Sequence, residues 1–162
     1  MAALKVYIAG PDVFRTDALA WAAEVRRRCL ALGLEALIPL DGDASTPAGI
    51  YANNIDMIRA ADAVVANLKP FRGAEPDSGT CFEVGFALAL GKPVVGYLHS
   101  AESLCERVAR LQGSPLVADG ECVLDAEGWR VENFDLPLNL MLAVPVKLVA
   151  DLEQALLAVV HE

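Results

Sequence analysis

Apolar and polar positions alternate along this chain in blocks that read as strand, turn, helix and strand again. Residues 4–9 form a short, mostly apolar run that breaks at Gly10-Pro11, which predicts a strand ending in a turn. Thr16 or Asp17 stands where a helix cap belongs, and the pattern carries that helix to about Leu32, where Gly33 stops it. Residues 34–39 predict a second strand and residues 41–47 a polar loop. Residues 50–61 predict a helix with Ile50, Ile55, Ile58 and Ala61 near one face. A third strand follows over residues 62–68. After a segment rich in Pro, Gly and charge, residues 78–90 read as a helix ending at Gly91, and Pro93 opens a strand over residues 94–98. Residues 99–133 offer one amphipathic helix, about 101–111, and then Gly and Asp turns without a readable order. A last strand is predicted over residues 144–149, and Asp151 with Gln154 forms a capping pair for a terminal helix.

Parallel strands need helical crossovers, so this alternation predicts a parallel sheet covered on both faces. The expected fold is α/β: a single-domain flavodoxin-like or Rossmann-like sandwich over residues 1–162. In such sheets ligands bind beyond the carboxyl ends of the strands. The loops after Ala9, Pro39 and Leu68 are therefore where a site is expected.

Composition narrows the ligand. With 55% hydrophobic positions in 162 residues, the chain has enough apolar material for a full core. No run approaches the roughly 18 apolar residues of a membrane span, and residues 1–4 lead straight into a strand instead of a signal peptide, so a cytoplasmic location is expected. A formal charge of −9 disfavours nucleic acid and anionic membrane surfaces as partners. Cys29, Cys81, Cys105 and Cys122 are far apart, with no C-x-x-C pair and no histidine at ligand spacing. They read as small buried or surface thiols, and neither a disulfide framework nor a metal site is expected. No G-x-G-x-x-G follows the first strand, and Gly85 and Gly91-Lys92 have the wrong spacing for a phosphate loop, so no cofactor is expected either. His99 and His161 read as structural, and Trp21 and Trp129 as core or interface residues.

Within residues 78–91 the single charged side chain is Glu83, set among Cys81, Phe82, Val84 and Phe86. Two readings stand side by side. Thr80 and Glu83 have the spacing of a capping box, and a partly desolvated carboxylate near a helix start can serve as a nucleophile. Asp77, six residues earlier, lies on the loop where a pocket is expected; it reads either as a turn acid or as a second carboxylate facing the same cleft.

Five segments taken in order resemble the nucleoside 2-deoxyribosyltransferases: residues 5–11, Asn53-Asn54-Ile55, residues 61–68, residues 75–85 with the pattern D-x-G-T-x-x-E-x-G, and P-L-N-L-M-L at 137–142. The resemblance implies transfer of 2-deoxyribose between free nucleobases and 2′-deoxynucleosides, without cofactor or metal. Glu83 matches the nucleophile, Tyr7 a tyrosine that orients it, and Asp77 an acid that binds the hydroxyl end of the sugar. Asn139 matches an asparagine supplied by a neighbouring subunit, so a homo-oligomer with a shared site is implied. Asn54 stands where the family often places an aspartate; an amide hydrogen-bonds but has no proton to give a leaving base. Gly10, Asp12 and Phe14, on the loop after the first strand, are expected in the pocket, Phe14 by stacking on a base. Two rival readings are a hydrolase of 2′-deoxynucleoside 5′-monophosphates, which needs a phosphate cradle that residues 10–14 do not offer, and a non-catalytic nucleotide-sensing module.

Overall fold

The side chains of β1 (Leu4–Ala9) point alternately to the two faces of a sheet, as the period of two in a strand requires, and this sorts the whole core. Val6 and Ile8 join one buried cluster, Tyr7 and Ala9 the other. In this computed structural model, which describes residues 3–100 and 102–161, five strands form a sheet in the order β2-β1-β3-β4-β8. β2 spans Leu34–Leu37, β3 Ala63–Asn67, β4 Val94–Tyr97 and β8 Lys147–Val149. Every pairing in that sheet is parallel. All five residues of β3, the central strand, are buried, as expected of a strand covered on both faces.

One face is covered by α1 (Ala18–Ala31) and α6 (Leu152–Val160), which pack Ala22, Val25, Cys29, Ala155, Leu156 and Val159 on Val6, Ile8 and Val65. The other is covered by α2 (Pro47–Ala60) and α3 (Ser78–Ala89), through Ile58, Val84 and Ala87. The chain runs outward from β1 to β2 and returns across to β3, so the strand order reverses between β1 and β3. That reversal opens a crevice at the carboxyl ends of the two strands.

The expected sandwich is thus present, with several boundaries moved. α2 begins at Pro47 instead of residue 50, because Thr46 accepts a hydrogen bond from the Gly49 amide and Pro47 suits a first helical position. Ile50, expected on the buried face, is consequently exposed, while Ile55 and Ile58 are core. β8 is shorter than expected because residues 144–146 form the turn that leads out of α5 (Leu140–Ala143) before the strand begins. The unreadable segment holds α4 (Leu104–Gln112) and a separate antiparallel meander of β5 (Val117–Asp119), β6 (Cys122–Leu124) and β7 (Arg130–Val131). The expected start of the α4 helix at Ala101 falls outside the described residues; α4 itself begins after a capping box formed by Ser103 and Glu106. Trp129, expected in a core or interface, is exposed beside the meander. Trp21 packs against the α1 and α6 core. All four cysteines are free. Among the described residues no helix is long and apolar enough to cross a membrane, and no cluster of His, Cys, Asp and Glu is arranged to hold a metal ion.

Candidate active site

A cleft of about 440 Å³ opens at the crevice between β1 and β3, within the size range of small-molecule sites. Glu83 and Asp77 both line it, as do Gly10, Phe14 and Asn54. Tyr7 lies beneath, fully buried, because the pleat of β1 turns its side chain toward α3. Its hydroxyl donates to Glu83 Oε1 at 2.7 Å across 76 positions of sequence.

That contact turns Glu83 away from the capping box that its spacing from Thr80 allowed. The cap of α3 is Asp77, not Thr80: Asp77 Oδ2 accepts from the Thr80 backbone N–H at 2.9 Å and from Thr80 Oγ1 at 3.1 Å. Asp77 directly precedes the first helical residue, where a carboxylate meets both the unpaired amides and the positive end of the helix dipole. No reciprocal capping box with Glu83 is needed, and Glu83 turns into the cleft.

The electrostatics of Glu83 follow from this placement. Burial raises its pKa from 4.5 to about 7; the Tyr7 hydrogen bond opposes the rise, the nearby Asp77 charge adds to it, and the Asn54 amide opposes it. The Tyr7 hydroxyl is pushed well above its ordinary range, first by burial and then by the Glu83 charge, so it stays protonated and can only donate. Two neutral donors thus hold one carboxylate. With its amide turned to Glu83, Asn54 leaves Oδ1 buried without a protein partner.

The remaining expected residues divide. Gly10 brings the first loop so close to β3 that a Cβ there would lie 2.8 Å from the Asn67 Cβ. Phe14 is exposed at the cleft wall and stacks on Phe71, ring centroids 5.8 Å apart, with the Arg72 guanidinium over both rings. Asp12 is a correction. Its carboxylate accepts from Asn67 Nδ2 at 2.7 Å and faces Arg15 and Tyr97 in a second depression, because the 3₁₀ turn of residues 11–14 sends Asp12 and Phe14 to different sides. Asn139 stands on the far side of α3, with Cys81 and Gly85. Those two residues are each about 200° around the helix from Glu83, so Asn139 does not reach Glu83 within its own chain. It caps α5 through Met141 N–H, and its amide donates to Glu132 at 2.7 Å. The apolar run around it is divided: Leu138 and Leu142 are core, whereas Met141 and Val144 are exposed.

Cleft residues that the sequence did not single out for the site include Asp41, Gly42 and Asn53. They lie on or beside the loop after Pro39, which the carboxyl-end rule had marked; Asn53 holds it by donating to the Asp41 carbonyl, and Asp41 accepts from Ile38 N–H at 2.9 Å. Lys92, weighed as part of a phosphate loop, instead donates to the carbonyls of Arg59 and Ala61 at the end of α2. Asp56 pairs with Arg59 at 3.5 Å on the exposed face of α2.

A half-buried carboxylate oriented by a buried tyrosine, with a second acid at the start of the same helix, is the arrangement the sequence resemblance implies. Residues 6–141 match the family of nucleoside 2-deoxyribosyltransferases. The chain belongs to that family. It is similar to a 2-deoxyribosyltransferase from Leishmania mexicana, 39% identical, with 98% of each chain covered and a TM-score of 0.79. A conserved protein from Enterococcus faecalis shares the fold at 22% identity and a TM-score of 0.60, with 99% of this chain and 98% of that one covered. An uncharacterized protein of Schizosaccharomyces pombe is 31% identical over 113 residues, 64% of this chain and 54% of that protein. This chain therefore spans about half the length of that relative. The parallel five-stranded sheet is the fold shared with the Leishmania enzyme.

Proposed function

We propose that this chain transfers 2-deoxyribose between nucleobases by a retaining double displacement with Glu83 as nucleophile. The observation that carries the reading is the Glu83 carboxylate, desolvated in the cleft and fixed by Tyr7 at 2.7 Å. In the first step a Glu83 oxygen attacks C1′ of a 2′-deoxynucleoside, the N-glycosidic bond breaks, and its electron pair leaves with the base. In the second, a nitrogen of another base attacks C1′ from the opposite side and gives up its proton to solvent, the ester bond breaks and Glu83 is released; that proton balances the one the departed base takes up from solvent. Two inversions give net retention, as in retaining glycosidases.

The electrostatics favour this use. Positive charge builds at C1′ in an oxocarbenium-like transition state, and an adjacent carboxylate in a water-poor site stabilises that charge more than it stabilises a neutral substrate. Burial lifts the pKa of Glu83 toward neutrality, while the hydrogen bonds from Tyr7 and Asn54 favour its ionised form. Tyr7 sets the direction of the carboxylate. Asn54 holds it from α2 and, being an amide, contributes no proton to the departing base.

Incubation with 2′-deoxyinosine and free adenine tests the reading. Formation of 2′-deoxyadenosine is the expected result; free deoxyribose alone would make the protein a hydrolase, and no reaction would leave a binding role.

Asp77 is assigned to the hydroxyl end of the sugar. Asp77→Asn keeps a side chain able to cap α3 and removes the charge. It is expected to raise KM for 2′-deoxynucleosides about tenfold, the scale of one hydrogen bond to a charged group, and to narrow their advantage over 5′-monophosphates. Competition kinetics with a nucleoside and its 5′-monophosphate measure this directly, and unchanged discrimination would remove Asp77 from the choice of substrate.

A further inference from the structure

Arg107, on α4, is 0% exposed, yet it takes no part in the chemistry above. A buried guanidinium is costly unless acceptors meet its N–H groups. Here most of the acceptors are main-chain carbonyls drawn from three separate segments. Nη1 donates to the Ala74 carbonyl at 3.2 Å and the Pro137 carbonyl at 2.8 Å, and Nη2 donates to the Glu102 carbonyl at 3.1 Å. Nε lies 3.5 Å from the Glu102 carboxylate, within ion-pair range but without the alignment of a hydrogen bond. That carboxylate is itself held in a two-pronged contact by Arg110, at 2.7 and 2.9 Å.

The positions of these carbonyls matter. Ala74 lies three residues before Asp77, and Pro137 lies two residues before Asn139. Between them, the Glu75 carboxylate accepts from the Asn139 backbone N–H and stands close enough to Arg107 to feel its charge. The loop carrying Asp77 has little to hold it from within: Phe71 N–H to the Glu75 carbonyl, at 3.0 Å, is its internal backbone bond, and Arg72 sits at a positive φ of 57° that non-glycine residues rarely adopt. Something outside the loop must fix its course.

We infer that Arg107 is a positioning residue that locks the Asp77 loop and the Asn139 segment together, so that the two segments on either side of α3 hold one relative placement. The planar fork of an arginine is suited to this. Its donors diverge in one rigid plane, and a lysine ammonium, a point charge on a flexible stem, does not span the same carbonyls.

Hydrogen exchange on the full chain tests the lock without recourse to activity, and kinetics add a second readout that rests on the function proposed above. In Arg107→Lys the Phe71 amide and the amides of residues 139–141 are expected to exchange about tenfold faster together, while β1 and β3 keep their protection. KM for a 2′-deoxynucleoside is expected to rise about tenfold with kcat changed less than about threefold. Loosening of only one segment, or equal loosening of the whole sheet, would overturn the inference and leave Arg107 as a general stabiliser. Glu102→Gln provides the second variant, because it removes the ion pair and leaves the three carbonyl contacts. Both segments are expected to stay protected in it, and faster exchange there would assign the role to the ion pair instead. A parent protein without transferase activity would sink the functional reading, and the exchange comparison would still decide the role of Arg107.

Discussion

Glu83→Gln is expected to abolish transfer and, at alkaline pH, to make the protein more stable. Loss of the covalent step corresponds to at least about a thousandfold in kcat, or roughly 4 kcal/mol of barrier. The stability effect comes from the carboxylate that makes the chemistry possible. A carboxyl whose pKa rises from 4.5 to about 7 on folding binds its proton more tightly in the folded state. Its contribution is fully present below about pH 4.5 and is lost as pH rises through about 7. Above that window the ionised side chain costs the fold up to about 3 kcal/mol, since each tenfold change in proton affinity is worth about 1.4 kcal/mol. Glutamine stays neutral and can still accept from Tyr7. Urea unfolding should therefore find the variant and parent equal near pH 4 and the variant more stable at pH 8. Equal stabilities at both values would show that Glu83 is not desolvated, and near-normal turnover by the folded variant would exclude it as nucleophile.

The second large effect is expected at Asn139, on the proposal that it acts in the site of a neighbouring copy of the chain. Within one chain it lies across α3 from Glu83, so any contact with the chemistry must come from another subunit. Met141 and Val144 beside it are exposed apolar residues of the kind an interface covers. Glu83→Ala chains and Asn139→Ser chains are each expected to be inactive alone. Serine retains a cap for α5, which separates the loss of the amide from the loss of the helix start. Hybrids made by co-expression should recover a substantial fraction of parent activity, because some sites then combine an intact Glu83 with an intact Asn139 from the other chain. Hybrids that form, by mass measurement, and remain inactive would confine Asn139 to its role at the start of α5.

Much of the architecture was legible in the chain because its cause is local. Short apolar runs such as residues 4–9, stops at Gly33 and Gly91, and the alternation of strand and helix through residue 98 depend on neighbours a few residues apart. Glu83 and Asp77 could be singled out for a similar reason: one charge in an apolar helix, and one acid on a loop at the carboxyl end of a strand. The meander of β5, β6 and β7 escaped notice because its strands are two or three residues long and lack a buried face, so no alternation records them.

What the sequence by itself determined, then, is the order of the elements and the chemical types available at the mouth of the sheet. The tertiary structure decided which atoms meet. Asp77 rather than Thr80 caps α3 because of where the helix starts, a matter of three residues that the local pattern leaves open. Asp12 and Phe14 share one 3₁₀ turn that sends them to different sides, and the tertiary structure decides that Asn67 meets the first and Phe71 the second. Tyr7 reaches Glu83 because the pleat of β1 and the crossover to α3 bring positions 76 residues apart to one place. Arg107 shares a face of α4 with Leu104, and carbonyls 33 and 30 residues away enclose its guanidinium. Such contacts have no signature in local periodicity, since a backbone carbonyl is the same group in every residue and only the path of the chain determines which side chain it meets.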